Sequence, residues 1–210
     1  MLALFPLSLV AYPSLPLNLH IFEPRYQELT RRCLEESKPF GIVPYIGDRL
    51  MNWGTEMRIV AVEKEYDTGE MDIRTVGTHV FQLLDFVNPM PGHLFAGGQV
   101  TYPAAFECHD PKAPNTEIVL NVWERFLDLL GVQMPLVPSS EIPISFQLAP
   151  KVGLPLEEEY TLLQIATENH RLAFLANHLQ LVVEALEKTS KAKHMISLNG
   201  HFKSIDPLKF

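Results

Sequence analysis

The first 22 positions carry apolar side chains without a single Asp, Glu, Lys or Arg, and prolines at 6, 13 and 16 divide them into short pieces. Leu4, Phe5, Leu7, Leu9, Val10 and Tyr12 supply β-compatible surface ahead of a turn at Pro13-Ser14. At Pro24 the period changes. Tyr26, Leu29, Cys33 and Leu34 recur at helical spacing, Pro24 suits the first turn of a helix, and Pro39 is expected to stop it. From Phe40 to Tyr102 short extended runs return, over 41–46, 55–63, 71–76, 80–87 and 94–102. Asp67-Thr68-Gly69 marks a hairpin between two of them, and the prolines of Asn88-Pro89-Met90-Pro91-Gly92 forbid a central strand there. Strands and turns at this spacing predict a curled sheet or partly closed barrel with the early helix packed on it.

Pro103, Pro111 and Pro114 stand among polar residues and mark a connector. Helical spacing follows. Ile118, Val119, Val122, Trp123, Phe126, Leu129 and Leu130 form a broad apolar stripe that ends at Gly131. Residues 141–152 read as a shorter helix, and Pro155 with Glu157, Glu158 and Glu159 opens another, its carboxylates at the positive end of the helix dipole. A last long helix carries Leu172, Leu175, Leu179, Val182, Val183 and Leu186 on one face. The expected organisation is a β-rich unit over 1–105, a connector over 106–115, a helical bundle over 116–193 and a docked C-terminal tail over 194–210.

A chain of 210 residues, 47% apolar and 20% charged, has the composition of a globular protein and can bury roughly 70% of its unfolded surface without a disulfide or metal. Its two cysteines, Cys33 and Cys108, form no CxxC or Cys/His array, which excludes a zinc finger and fits a reducing, cytoplasmic compartment. The uncharged opening fails as a signal peptide or membrane span, because prolines interrupt it and no basic segment precedes it. The net charge is −8, with 8 basic and 12 acidic residues in positions 1–105 and 9 and 13 in the rest. Neither half is a basic arm for nucleic acid.

Gly41-Ile-Val-Pro-Tyr-Ile-Gly47-Asp48 approaches a phosphate loop and fails as one, since it lacks the lysine and Pro44 has no amide hydrogen. Cys108-His109-Asp110 places three ligand types in a row, but neighbouring side chains diverge, so a polar connector is the expected role. No HxxxH pair occurs, and Glu158 and Glu159 read as a solvated cluster at a helix start. No metal and no cofactor are expected. The densest polar and aromatic segment is Phe22-Glu23-Pro24-Arg25-Tyr26, where Glu23 is expected to cap the helix and pair with Arg25, a structural rather than a recognition role.

Leu4-Phe5-Pro6-Leu7, Tyr12-Pro13, the run from Leu15 through Glu23-Pro24-Arg25-Tyr26, and Pro39-Phe40-Gly41-Ile42-Val43 together resemble the start of the Lon protease N-terminal domain. Similar pieces follow at Gly54-Thr55, Asp67-Thr68-Gly69 and Gly77-Thr78-His79-Val80-Phe81, where Val80 replaces the arginine usual in the family. The helical half is similar through Ser145-Phe146-Gln147-Leu148-Ala149, Leu162-Leu163 and Glu168-Asn169-His170-Arg171-Leu172. The resemblance implies an α+β fold, a PUA-like curled sheet or pseudo-barrel followed by a helical bundle. It also implies recognition of unfolded or extended protein segments on behalf of a protease. The ATPase and Ser/Lys peptidase that follow this unit in the family have no counterpart in these residues, so a stand-alone, non-catalytic module is expected.

The expected binding surface lies on loops of the β unit, at Met51 and Trp53 in one Gly-containing stretch and at Met90, Leu94 and Phe95 around a Pro/Gly turn. Methionine adapts to varied partners, and aromatics give contact area with few rotors. Two other classes stay open at this point: an RNA-binding PUA-like module, opposed by the negative charge, and a small-molecule enzyme, opposed by the lack of a legible nucleophile and base.

Overall fold

A computed structural model describes residues 1–107, 109–136 and 142–201, with side chains through Ala192. Its strands are β1 (Leu2–Leu7), β2 (Pro16–Ile21), β3 (Phe40–Ile46), β4 (Arg49–Leu50), β5 (Trp53–Glu65), β6 (Met71–Val87) and β7 (Ala96–Thr101). Its helices are α1 (Pro24–Glu36), α2 (Thr116–Leu130), α3 (Ile144–Leu148), α4 (Leu156–Gln164) and α5 (Glu168–His201). The strands form one mixed, curled sheet in the order β1-β7-β6-β5-β3-β4, which parallel pairing of β1 with β3 closes into a ring. β2 lies outside the ring, antiparallel to the first part of β6.

The runs 71–76 and 80–87, expected as two strands, are one. Gly77 does not break β6; it lets the strand cross the chain at Tyr12-Pro13. A Cβ at Gly77 would lie 2.2 Å from the Tyr12 carbonyl oxygen, so a side chain there would force the two segments apart. β6 thereby pairs with β2 early and with β7 late, while β5 follows it along its length through three register shifts.

Tyr26, Leu29, Thr30 and Cys33 form the buried face of α1. Tyr26 stacks on Phe5 at 3.7 Å between ring centroids. The helix stops at Ser37, before Pro39, because Ser37 turns left-handed (φ 51°) and the Lys38 amide donates to the Cys33 carbonyl. Gly131 ends α2 in the same way at φ 66°. The short helix expected over 141–152 is α3 followed by a single 3₁₀ turn, Ala149–Lys151, with residue 141 outside the described part. The tail expected from residue 194 begins as further helix, since α5 runs to His201; docking of 202–210 lies outside the described residues. Among the described residues no helix is long and apolar enough to cross a membrane.

One apolar cluster lies between α1 and the sheet, around Phe5, Ile21, Leu29, Phe40 and Met57, and a second fills the ring around Leu4, Val43 and Phe81. The third joins Val119, Trp123 and Phe126 of α2 to Leu172, Leu175, Leu179 and Val183 of α5, and it takes in Val10, Tyr12 and Val80 from the β unit. Each such aliphatic side chain contributes roughly 1.5–3 kcal/mol by leaving water. The connector is held by a buried ion pair. Arg171, fully buried, donates to Glu168 Oε2 at 2.8 Å, to the Ile165 carbonyl at 2.9 Å and to the Glu107 carbonyl at 2.8 Å, and lies over the Phe146 ring at 4.5 Å. Glu168 also accepts from the Ser145 amide at 3.0 Å and from its hydroxyl.

Candidate functional site: a groove between the first helix and the sheet

The C-terminal half of α1 lies beside the start of β1 and the end of β7, leaving a groove of about 550 Å³. Leu2, Ala3, Cys33, Met90 and Val100 supply its apolar surface. Arg32 and Glu36 border it from the helix and Lys38 from just past its end, and Leu84, Gln99 and Glu56 from the sheet with Tyr102 just after β7. Leu84 owes its position to the register shift between Leu83 and Asp85: as the extra residue of that bulge it is 63% exposed.

The rim charges are unevenly shared. Glu36 accepts from Lys38 Nζ at 2.7 Å and Arg32 Nε at 2.8 Å, and these bonds hold its carboxyl below the usual carboxylate range. Two cations thus share one carboxylate. Burial opposes ionisation of Glu56, but hydrogen bonds from Tyr102 Oη, Thr78 Oγ1 (2.7 Å) and His79 Nδ1 (3.2 Å) outweigh it and lower its pKa. Burial and the Glu56 carboxylate together push the Tyr102 phenol up. Burial raises the Cys33 thiol to about 11, so it stays protonated at neutral pH and is a poor nucleophile. Glu56 is a satisfied structural anion, and neither it nor Cys33 is poised for proton or acyl transfer.

The turn after β6 forms one end of the groove and is latched to α1. Glu28 accepts from His93 Nδ1 at 2.8 Å and from the Leu94 amide at 3.1 Å, while Arg32 Nη1 meets His93 Nε2. A Cβ at Gly97 would fall 2.5 Å from the Met90 sulfur, so the glycine is what lets the thioether settle on β7. Leu94, 59% exposed, borders a second depression of about 430 Å³ on the far side of this turn.

Of the residues expected to bind, Met90 lines the groove, and Leu94 borders the other depression instead. Phe95 is not exposed: it is fully buried in the core beneath α1, with His93 stacked on it at 4.7 Å, because the residue after the turn packs under the helix beside Leu29 and Cys33. Trp53 and Met51 lie elsewhere. Trp53 packs against the helical cluster, its amide donating to Tyr160 Oη at 3.2 Å, and the half-buried Met51 donates its amide to the Pro44 carbonyl at 2.9 Å. The two expected sets therefore form no single patch.

Glu23 occupies the N-cap position without a side-chain capping bond, and its carboxylate turns to Arg25 at 2.7 Å. Of the pair expected to be solvated, Glu159 is half-buried, and desolvation raises its pKa; Glu158 meets His178 Nδ1 at 3.2 Å. In Cys108-His109-Asp110 the cysteine lies outside the described residues, and among the described residues no three His, Cys, Asp or Glu side chains gather as a metal site. Sequence reasoning missed Leu84, Arg32, Lys38 and Tyr102. The adjacent Leu83-Leu84 was a usable signal, since two leucines in succession along a strand point to opposite faces unless a bulge intervenes.

The architecture is a curled sheet closed by its first strand and followed by C-terminal helices. The chain belongs to the family of the ATP-dependent protease La (LON) substrate-binding domain, whose model matches residues 1–196. The fold is similar to a Lon N-terminal domain protein from Xanthomonas campestris, with a TM-score of 0.62 at 24% identity over 83% of this chain and 95% of that one. It is also similar to the N-terminal domain of a Mycobacterium avium complex Lon protease, with a TM-score of 0.64 at 15% identity over 85% and 97%. A LON peptidase N-terminal domain and RING finger protein of Schizosaccharomyces pombe is 34% identical over 99 residues, covering 38% of this chain and 20% of that protein. The match thus spans only a fifth of that relative.

Proposed function

We propose that this chain is a non-catalytic protein-binding module whose groove beside α1 receives exposed apolar or extended segments of other proteins and presents them to a protease. The observation that carries this reading is Leu84, 63% exposed on a bulge beside an apolar surface that includes Met90 and Val100. A partner covering Leu84 gains roughly 25 cal/mol for each Å² of apolar area removed from water. The chemistry beside it supports binding over turnover: the Glu56 carboxylate is occupied by three donors and the Cys33 thiol is protonated. Membership of a substrate-binding family agrees with this role.

The test is fluorescence anisotropy with a labelled, reduced and carboxymethylated model protein. Leu84→Asp should raise Kd by about 5- to 30-fold, the equivalent of 1–2 kcal/mol, with an unchanged thermal melt. Unaltered affinity in the folded variant would move the site away from this groove. Failure of the unmodified chain to bind at all would refute the function.

A further inference from the structure

Resting on that reading, we infer that a segment lying in the groove continues over Tyr102 and seats one branched aliphatic residue, valine or leucine, in a pocket beside the crossing of β6 with Tyr12-Pro13. Tyr102 is the shared wall, lining both the groove and this pocket of about 100 Å³. The pocket follows from Gly77. Because the glycine lets β6 pass close to the Tyr12 carbonyl, Pro13 bridges to Gly77 and the next residues of β6 run on beside it. Pro13 and Val80 supply apolar surface from the crossing. Pro103 and Phe106 supply it from the segment after β7, folded into a turn by the Phe106 amide donating to the Pro103 carbonyl at 3.2 Å. The Arg171 guanidinium stands over the Phe106 ring at 5.3 Å and ties that turn to the helical half.

The hydroxyls of the lining are already spent. Thr78 Oγ1 donates to the Glu56 carboxylate at 2.7 Å, and Tyr102 Oη donates to the same carboxylate. A water held inside needs about two to four polar partners, which this lining does not offer, and an apolar group that displaces a poorly bonded water gains affinity. Size selects the group. A cavity of roughly 150 Å³ holds benzene, so one of about 100 Å³ suits a valine or leucine side chain and not a phenyl ring. The mouth carries a polar atom of its own. His79, 70% exposed, turns Nδ1 to Glu56 at 3.2 Å and stands edge-on to the Tyr102 ring at 6.0 Å between centroids. A carboxylate only accepts, so the neutral imidazole carries its proton on Nδ1 and presents a lone pair on Nε2, to which no described residue bonds. An aliphatic side chain inside the pocket and a backbone N–H at its mouth meet both features, which describes a residue of a polypeptide and excludes proline.

The probes are the N-acetyl N-methylamides of valine, leucine, alanine and phenylalanine, together with the leucine compound methylated on its own α-nitrogen. Each is titrated into the intact ¹⁵N-labelled chain, and the amide resonances of Thr78, His79, Val80, Tyr102 and Phe106 are followed. The valine and leucine compounds should move these amides with Kd values of about 1 mM, roughly fivefold or more tighter than alanine and phenylalanine. Methylation of the α-nitrogen should weaken the leucine compound about threefold, and that penalty should disappear in folded His79→Ala. The reduced, carboxymethylated model protein at saturation should displace the leucine compound. Unmoved amides, or equal affinities for the four side chains, overturn the pocket. A methylation penalty that is absent, or that persists in His79→Ala, overturns the contact with His79. Bound model protein that leaves the leucine compound in place overturns the continuity with the groove. If the model protein binds in a Leu84-dependent way while the five amides stay unmoved, the binding function stands and this inference falls. If neither the model protein nor the leucine compound binds, both fall.

Discussion

Replacing Arg171 with methionine keeps most of the side-chain volume and removes the charge from a site that is fully buried. Glu168, 1% exposed, would then keep only the Ser145 amide and hydroxyl as donors, and the Glu107 and Ile165 carbonyls would each lose the guanidinium. Removing one member of a buried ion pair costs about 3–5 kcal/mol, because the remaining charge has been taken out of water without compensation. In a chain of this size that corresponds to a fall in Tm of roughly 6–20 °C. The paired variant Glu168→Gln with Arg171→Met should be less damaged than Arg171→Met alone, since glutamine can still accept from Ser145 and no charge is stranded. Thermal and urea unfolding followed by circular dichroism would give the stabilities of the unmodified chain, of each single variant and of the paired variant. Arg171→Met within about 1 kcal/mol of the unmodified chain, or a paired variant whose loss equals the sum of the single losses, would refute the account of a dry, interdependent network.

Glu23→Ala should lower stability by no more than about 1 kcal/mol in urea unfolding, since it removes a part-exposed ion pair and no capping bond. Gly77→Ala should cost about 1–3 kcal/mol or more in the same assay, through the clash with the Tyr12 carbonyl. Burial raises the Glu159 carboxyl, so its ionised form is disfavoured in the fold; Glu159→Gln should raise Tm at pH 7 to 8, and the gain should vanish as pH falls below the ordinary glutamate range, where both states are protonated. Glu56 has the opposite sign. Its folded pKa is lowered, so it stabilises the fold above the ordinary glutamate pKa and that contribution is lost as pH falls through the folded value, a loss that Glu56→Gln should remove from the acid limb of the stability profile.

The helices were largely readable because their signals are local. The stripe from Val119 to Phe126 and the terminator Gly131 sit within one segment and need no knowledge of what packs against them. The sheet was readable as strands but not as a ring, since nothing near Leu2–Leu7 specifies that it lies parallel to Phe40–Ile46 and antiparallel to Ala96–Thr101. Gly77 misled because a glycine between two β-patterned runs signals a turn and a close crossing equally well. The groove was half visible. Met90 and Leu94 belong to a turn whose composition marks it as exposed, whereas Arg32 and Lys38 gain their position only when α1 settles beside β7. Trp53 shows the same limit from the other side: its segment looks solvent-facing until α4 brings Tyr160 against it.

The ring has a consequence for how the chain matures during synthesis. The antiparallel partner of Leu2–Leu7, Ala96–Gly98, is made about ninety residues after it, and β6 must be complete before β7 can lie between β1 and β6. Until then one side of the first strand has no backbone partner, and Leu2 and Leu4 have no enclosed interior to enter. A nascent chain stalled before Ala96 therefore displays an open apolar edge, the kind of surface that holdase chaperones cover and that neighbouring chains on the same message can pair with. Release of Gly98 from the exit tunnel is the step at which that hazard ends.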